Sequence, residues 1–422
     1  MITDKGIRID RVGGSSPASS SGRAHQALLA LTAAALAIPA TNAHAQAVGD
    51  VPTSSGDSTL LDYRYAGYRE GDIPGSKTAS GQRSQRYDVD SHQFRAATRL
   101  GAASDLTADI TVETMSGASP WFIIPDAKGK PLQVMSGASI HDFRQSLQLR
   151  ADQHFDDLSG SLLAGYSSER DYRTSNAGLE GSWDFNGGLS TLSGGGGYTR
   201  NILDPTEGQS ARFPTRIAHA HNDEGNGFIG VSQVLTQYTV LQTSLSGGIQ
   251  HGDLSDPYKL VYVDGNTRND TRPGNRRLLA WTTRLRQDIP KLHAALHIDY
   301  RFYSDNWGVN AHTAELAWYQ SLPYRWVVVP RLRWYSQSQA DFYQPYYSSL
   351  QSTGLYSCDY RLSPFGALSE SFGIYKRLGG WSLSVRYEHY DSSGSFALKH
   401  VEVENPGLVK FQVFSAGIAK AF

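Results

Sequence analysis

The stretch LHAALHIDYRFY (292–303) decides the fold, because its side chains alternate between two chemical classes. Leu296 and Ile298 fall on one face, whereas His297 and Asp299 fall on the other. Successive side chains of a β-strand point to opposite faces, so this stretch predicts a strand with one apolar and one polar side. Strands of outer-membrane barrels have this pattern, with the apolar side toward lipid and the polar side toward the lumen.

The same alternation recurs along the chain, for example in 142–152 and 381–388. Sixteen segments follow it, within boundaries of a few residues. The predicted strands are 58–69, 86–100, 105–117, 140–155, 158–171, 175–186, 188–200, 222–236, 239–251, 277–289, 291–303, 307–321, 325–340, 357–377, 380–391 and 408–422.

The connections between these strands alternate in length, which favours a membrane barrel over a soluble sandwich. The long ones are 70–85, 118–139, 201–221, 252–276, 341–356 and 392–407. The short ones are centred near Ala102, Asp156, Gly187, Gln237, Pro290, Pro323 and Gly379. Outer-membrane barrels have long extracellular loops and short periplasmic turns. We therefore predict an all-β, antiparallel, up-and-down transmembrane barrel of about 16 strands over residues 58–422.

The N-terminus has the order of a secretory signal. Arg23 and His25 precede the apolar run 27–38, and Ala43-His44-Ala45 follows as a cleavage site. We predict a signal peptide at 1–45, a periplasmic leader at 46–57 and export to the outer membrane of a Gram-negative bacterium. No later run approaches the ~20 apolar residues of a membrane helix.

Composition agrees with a barrel and excludes some partners. Mean hydropathy is -0.41 although aromatics make up 11%, which fits strands that face both lipid and water. The formal charge of -1 becomes -3 without residues 1–45, which carry four basic and two acidic side chains, and neither value indicates nucleic-acid binding. Cys358 is the only cysteine, so no internal disulfide can form.

Several single residues refine the barrel prediction. Phe422 ends an alternating last strand, which looks like the recognition signal of the outer-membrane assembly machinery, although Lys420 lies on its apolar face. Pro330 and Pro364 fall within predicted strands and predict β-bulges. The run Gly194–Gly197 predicts a weak strand or a close approach to the wall. Aromatics predicted to form interfacial girdles are Trp318, Tyr324, Trp326, Trp334, Trp381 and Tyr387.

The face predicted to line the lumen is rich in charge. Its members are Arg144, Arg150, Arg284, Arg286, Asp299, Arg301, Glu315, Arg331, Arg333, Arg361, Arg386 and Glu388. In an open lumen, a net positive wall would favour anions. Alternatively, these side chains pair across neighbouring strands and fill the interior. Loops 118–139 and 252–276 are the candidates for a plug.

Two groups of residues are weak metal candidates, and ordinary loop polarity is the alternative explanation for both. His219, His221 and Asp223 have ligand-type spacing where a long loop meets a strand. Met115 and Met135 lie in two copies of MSGAS and could offer thioethers to Cu(I). No G-x-S-x-G, H-E-x-x-H or phosphate-binding loop is present, so we expect no enzyme activity and no cofactor.

From about residue 58 onward the chain resembles a bacterial family known as domain of unknown function 3570. The stretches that carry the resemblance are MSGASPWF (115–122), GKPLQVMSGASIHD (129–142), SDPYKLVYV (255–263), DTRP (270–273), LHIDYRFYSDNWGVNAHTAELAWYQSLP (296–323), ADFYQPYY (340–347), DYRLSPFGALS (359–369) and ENPGLV (404–409). The resemblance implies an uncharacterised outer-membrane protein, and it implies no catalytic residues. It also implies that the protein is encoded near extracytoplasmic redox and flavin-attachment proteins, and hence that it has a periplasmic redox partner.

Three functions remain open from the sequence. The first is a porin-like channel for an unidentified solute. The second is a non-conducting scaffold or conduit for a redox system. The third is an outer-membrane enzyme or metal-binding protein.

Overall fold

The computed structural model describes residues 59–136 and 140–422, and the predicted signal peptide and leader lie outside them. The strands, in chain order, are β1 (Leu60–Glu70), β2 (Asp88–Arg99), β3 (Ser104–Gly117), β4 (Pro120–Pro125), β5 (Pro131–Met135), β6 (Ile140–Phe155), β7 (Leu158–Ser168), β8 (Tyr172–Phe185), β9 (Ser190–Leu203), β10 (Ala220–Thr236), β11 (Thr239–Gly252), β12 (Leu260–Val263), β13 (Asn266–Asn269), β14 (Asn275–Ile289), β15 (Ala294–Asp305), β16 (Asn310–Leu322), β17 (Trp326–Gln337), β18 (Phe365–Leu378), β19 (Trp381–Ser393) and β20 (Lys410–Ala421).

Sixteen of these strands form one closed antiparallel barrel, and the predicted fold class is confirmed. Each barrel strand pairs with its neighbours along the chain, and β1 pairs with β20 over the full length of both strands. The other four strands form two separate hairpins, β4–β5 and β12–β13. Closure leaves no strand edge with unpaired backbone N–H and C=O groups. Such groups would cost free energy in the hydrocarbon core of a membrane, where no water can hydrogen-bond to them.

The connections separate by length as predicted. Tight turns such as 156–157, 237–238 and 379–380 join strands at the end of the barrel that we call the turn end. The long connections lie at the opposite end, which we call the loop end. The exceptions are 169–171 and 306–309, which are short connections at the loop end. Among the described residues, no helix is long and apolar enough to span a membrane.

The outer wall carries a continuous apolar band. Leu149 on β6, Leu162 on β7 and Leu316 on β16 point outward and are between 42% and 67% exposed. The register places their outward neighbours in line with them, for example Ile298 opposite Leu316. Exposed apolar side chains on every strand are unfavourable in water and favourable against lipid, so the band identifies a transmembrane barrel.

The apolar band ends before the strands do, and polar residues follow toward the loop end. Glu370, His389 and Gln412 lie side by side on the outer faces of β18, β19 and β20. On the other side of the barrel, Asp223 lies opposite Arg200 on adjacent strands. The strands therefore extend beyond the hydrocarbon region at the loop end, where charged outward side chains meet water or polar headgroups.

The predicted bulges at the prolines are wrong. The ladder between β16 and β17 omits two residue pairs beside Pro330, but the register is the same on both sides of the gap. Pro330 lacks an N–H, so the gap reflects missing hydrogen bonds and not an inserted residue. Pro364 precedes β18, since the predicted strand 357–377 begins only at Phe365.

The glycine run on β9 is a place of close approach. A Cβ on Gly195 would lie 2.8 Å from the ring of Phe228, which points inward from β10. The glycine therefore makes room for an aromatic ring in the lumen. At the turn end, the Lys420 ammonium lies 4.9 Å from the ring centroid of Trp381, so the charge on the outer wall is shielded by an aromatic face.

Candidate functional site

The register places the predicted lumen residues on the inner wall, with the exception of Arg361. Inward positions alternate with the exposed apolar ones, so Arg284 and Arg286 on β14 face the same interior as Asp299 and Arg301 on β15. Glu315 on β16 and the arginines of β17 follow in the same row. The inner wall therefore carries charged side chains on β14 to β17.

Most of these charges pair with a neighbour. Arg150 contacts Asp152 at 2.8 Å and Glu180 at 3.0 Å. Arg286 makes two hydrogen bonds to Asp299, one of them 3.0 Å long. Further pairs on the inner wall are Arg144–Glu113 at 3.4 Å, Arg331–Glu315 at 3.4 Å and Arg386–Glu388 at 3.7 Å. Pairing lowers the cost of keeping charges inside the wall.

Positive charge nevertheless exceeds negative charge on one sector of the wall. Strands β14 to β17 carry six inward arginines, Arg276, Arg284, Arg286, Arg301, Arg331 and Arg333, against the four carboxylates of Asp288, Asp299, Asp305 and Glu315. Among the described residues, neither Arg301 nor Arg333 forms an ion pair, and the buried Nε of Arg301 has no hydrogen-bond partner. The Arg301 guanidinium instead lies 5.5 Å from the ring centroid of Tyr303. This sector can attract an anion from the lumen.

The loop end is covered by interlocked connections, which we call the cap: 71–87, 118–136, 204–219, 253–274, 338–364 and 394–409. The two plug candidates meet here, because Ile123 of one packs with Val261 and Val263 of the other. Tyr347 and Tyr356 of the connection 338–364 complete this apolar cluster. The cap therefore has a hydrophobic core of its own, made from three connections that are far apart in sequence.

A buried ionic cluster lies beside that core. The Asp359 carboxylate is fully buried and accepts hydrogen bonds from Arg361 and Arg272, the latter at 2.9 Å, while Lys259 lies at 4.0 Å. Burial alone would raise the pKa of Asp359, but the charges of Arg361, Lys259 and Arg272 outweigh it and hold this pKa well below its ordinary value. Asp270 also pairs with Arg272, at 2.6 Å. These charges hold the cap connections in one arrangement.

The cap is also fastened to the inner wall. Arg86, which is 2% exposed, donates to Glu70 at the end of β1 and to the carbonyl oxygen of Gly407 at 3.0 Å. Across the mouth, Trp307 and Leu362 pack with Tyr303, an inward residue of β15. The cap therefore contacts opposite sectors of the wall and narrows the loop end of the lumen.

The structure corrects the placement of Arg361. The sequence pattern assigned it to a wall strand, but it lies in a 3-10 turn, Tyr360–Leu362, within the cap. Alternating residues in 357–364 imitated a strand, whereas the backbone here turns because the Asp359 side chain accepts from the Arg361 amide. Cys358, next to this turn, is buried, and burial raises the pKa of its thiol to about 12, so it is an unreactive thiol.

The predicted metal ligands are not brought together. His219 hydrogen-bonds Asp204 through Nδ1 at 2.6 Å, whereas Asp223 accepts from Tyr198 on the outer wall. Met115 packs in an inward cluster with Tyr68 and Tyr87. Met135 ends β5 in the cap, and part of the MSGAS copy that contains it lies outside the described residues.

A group that sequence reasoning missed lies where the wall meets the cap. Asp142, Glu169 and Asp171 are buried, and one carboxylate oxygen from each lies within 4.8 Å of the other two. Asp142 faces inward near the start of β6, and the other two residues belong to the short connection after β7. Asp142 is 27 residues from Glu169 and 29 from Asp171, so the sequence gives no local signal, and only the register of β6 with β7 brings Asp142 to the other two.

Similarity to solved structures is distant. The chain is similar to OccD3 (OpdP) of Pseudomonas aeruginosa, with 10% identity and a TM-score of 0.40, covering 89% of this chain and 94% of that one. It is similar to a BenF-like porin from Pseudomonas fluorescens Pf-5, with 9% identity and a TM-score of 0.41, covering 87% and 99%. The chain is also similar to the siderophore receptor PirA of Pseudomonas aeruginosa, with 12% identity and a TM-score of 0.41. The match covers 81% of this chain and 57% of the receptor, so the chain spans little more than half of the receptor's length.

The family comparison is the informative one. Among curated proteins, none matches the chain. Residues 28–408 match a family model, which covers nearly all of the barrel and its cap. The chain belongs to the family described as protein of unknown function (DUF3570).

Proposed function

We propose that the protein is a porin-like channel of the bacterial outer membrane that favours small anions. The loop end would face outward and the turn end would face the periplasm, as in barrels of this type. The single observation that carries the proposal is the arginine-rich sector on β14 to β17. Arg301 and Arg333 have no carboxylate partner among the described residues, so their charge is available to a solute in the lumen.

Electrostatics explains how such a wall would act. A guanidinium in a narrow, partly desolvated lumen attracts an anion more strongly than it would in bulk water. The sector would lower the entry barrier for anions and raise it for cations. Because most other inner charges are paired, selectivity would depend on these two arginines more than on the total number of charges. We expect no catalytic residue in the lumen.

Planar bilayers test this proposal. We expect purified protein to form conducting pores whose reversal potential in a KCl gradient indicates preference for Cl⁻. The double substitution Arg301→Gln with Arg333→Gln should reduce that preference. Arg277→Gln is the matched control, because Arg277 is exposed on the outer wall and its loss should leave the reversal potential unchanged.

The cap favours a second function, a closed barrel that serves as a scaffold for an extracytoplasmic partner. Its apolar core and ionic cluster resemble a stable domain more than a set of mobile loops. A silent bilayer with correctly folded protein would reject the channel. The scaffold would then predict a stable complex with a periplasmic protein, recovered by affinity purification through the barrel from cross-linked cells. A cation-selective pore would retain the channel but reject the anion preference.

A further inference from the structure

Three acidic side chains meet at a point where four segments of the chain join. Asp142 projects inward from β6, and Glu169 and Asp171 flank the turn between β7 and β8. The turn is tight, since the Glu169 amide donates to the carbonyl oxygen of Tyr172 at 2.8 Å. All three residues are less than 10% exposed, and each presents an oxygen to the same small volume.

Asp142 is the most informative member of the group. One of its oxygens accepts from the Phe143 amide at 2.8 Å, but the other, Oδ2, is buried and has no hydrogen-bond partner. Asp142 is 9% exposed, and Oδ2 itself is buried. A buried carboxylate oxygen without a partner costs free energy, and two further carboxylates beside it add repulsion. The arrangement is therefore unfavourable unless a positive species occupies the space between the oxygens.

The geometry fits a calcium ion. Ca²⁺ binds oxygen ligands at about 2.3–2.6 Å, so two oxygens on the same ion are at most about 5 Å apart. All three oxygens lie within 4.8 Å of one another, which is compatible with this condition. Mg²⁺ usually keeps several waters and is bound through one or two carboxylates, so a site of three carboxylates suits Ca²⁺ better. Carboxylates are hard ligands that disfavour softer metals such as Cu(I).

We propose that Asp142, Glu169 and Asp171 form a Ca²⁺ site that fastens the cap to the barrel wall. Asp171 Oδ2 accepts from the hydroxyl of Tyr258, which belongs to the cap connection 253–274. The same hydroxyl accepts from the Thr206 amide at 2.8 Å, in the connection after β9. A cation that fixes Asp171 therefore also fixes two cap connections.

The position of Arg216 supports this role. Its guanidinium lies 4.9 Å from the ring centroid of Tyr258 and donates to the Thr206 carbonyl at 2.8 Å. Tyr258 is thus held from the cap side by Arg216 and from the wall side by Asp171. Loss of the cation would leave the three carboxylates in mutual repulsion, and the Tyr258 contact would weaken with them. The ion would act on the order of the cap and not on the barrel strands, which their own ladders hold.

Calcium titration of the full-length barrel in detergent tests the site. After EDTA treatment and dialysis, isothermal titration with CaCl₂ should give one binding event with a dissociation constant of about 10⁻⁴ to 10⁻³ M, as in other extracellular calcium sites. Saturating Ca²⁺ should slow tryptic cleavage of the cap. Asp142→Asn should weaken Ca²⁺ binding at least about 10-fold and remove the protection.

Asp264→Asn is the matched control, since it removes the same charge from the exposed tip of the β12–β13 hairpin. That hairpin belongs to the cap connection 253–274, which also contains Tyr258. This variant should bind Ca²⁺ like the wild type. Asp142→Asn should also make the EDTA-treated protein no less stable, because it removes repulsion, which separates loss of binding from misfolding. Absence of binding heat in the wild type, or unchanged binding in Asp142→Asn, would overturn the proposal. If the EDTA-treated protein becomes more stable in acid and Ca²⁺ does not change its stability, the three carboxylates bind protons and not a metal cation, and the proposal is overturned.

Discussion

Leu149→Arg tests which face of the wall meets lipid. Leu149 points outward from β6 and is 42% exposed, and its neighbours on the flanking strands are the small residues Ala108 and Ala164. The nearest polar outward residues on the same strand are Gln145 and Gln153, four positions away in each direction. At a rise of about 3.4 Å per residue, each is about 14 Å distant along the strand. An arginine here cannot extend its charge to water at either side.

The expected cost follows from that depth. Arginine near the midplane on the lipid face of a barrel destabilises it by about 2–4 kcal/mol. The adjacent residue, Gln148, faces the lumen opposite Asp109. Gln148→Arg introduces the same charge beside a carboxylate and water, so we expect a change within about 0.5 kcal/mol. The two substituted positions are adjacent in sequence, but Leu149 lies on the outer face of the wall and Gln148 on the inner face.

Reversible urea unfolding in phospholipid vesicles, followed by tryptophan fluorescence, gives both free energies of unfolding. We expect Leu149→Arg to fall well below the wild type while Gln148→Arg stays close to it. Equal losses in the two variants would show that the faces are assigned wrongly. A larger loss for Gln148→Arg would mean that this part of the lumen is dry.

Two further substitutions address the cap and the glycine run. Asp359→Asn removes the carboxylate that Arg361, Arg272 and Lys259 share, while Asp270 still pairs with Arg272 and Asp256 with Arg361. We expect it to destabilise the cap by about 3 kcal/mol, measured as faster hydrogen exchange in 338–364, whereas Asp264→Asn should have no effect. Because the pKa of Asp359 is lowered by folding, its contribution is present above about pH 4 and is lost as pH falls further, so wild-type exchange should accelerate only in strong acid. Gly195→Val should cost about 1–3 kcal/mol in urea unfolding because its side chain would meet Phe228, but Gly225→Val, which has open space, should not.

The barrel itself could be predicted from the sequence because its rule is local. Alternation with a period of two marks each strand wherever one face is apolar, and residues 296–302 follow it throughout. The order of long and short connections added the topology. The sequence predicts a strand over 357–377, whereas the observed strand begins at Phe365, because polar and apolar residues happen to alternate in the loop 357–364. A local rule cannot tell such a loop from a strand when the deciding contacts are distant.

The cap and the acidic group could not be predicted for the same reason. Hairpins β4–β5 and β12–β13 are short, and their stability depends on the apolar core that they build together with 338–364. Their loops were predicted as plug candidates, but the partners within the cap were not. Asp142 fits the inward pattern of β6 like any other lumen residue. Only the three-dimensional structure shows that its carboxylate has no donor and two acidic neighbours.

The contacts that join the first long connection to the last have a consequence for biogenesis. Lys77 pairs with Glu404 at 2.8 Å, and Arg86 donates to Gly407, in both cases across the junction of β1 and β20. These partners are more than 300 residues apart in sequence, so neither contact can form while the newly made chain is still entering the membrane. The cover over the mouth must be completed last, after the final strand has joined the first. Its protection from surface proteases would therefore serve as a reporter that assembly in the cell has finished.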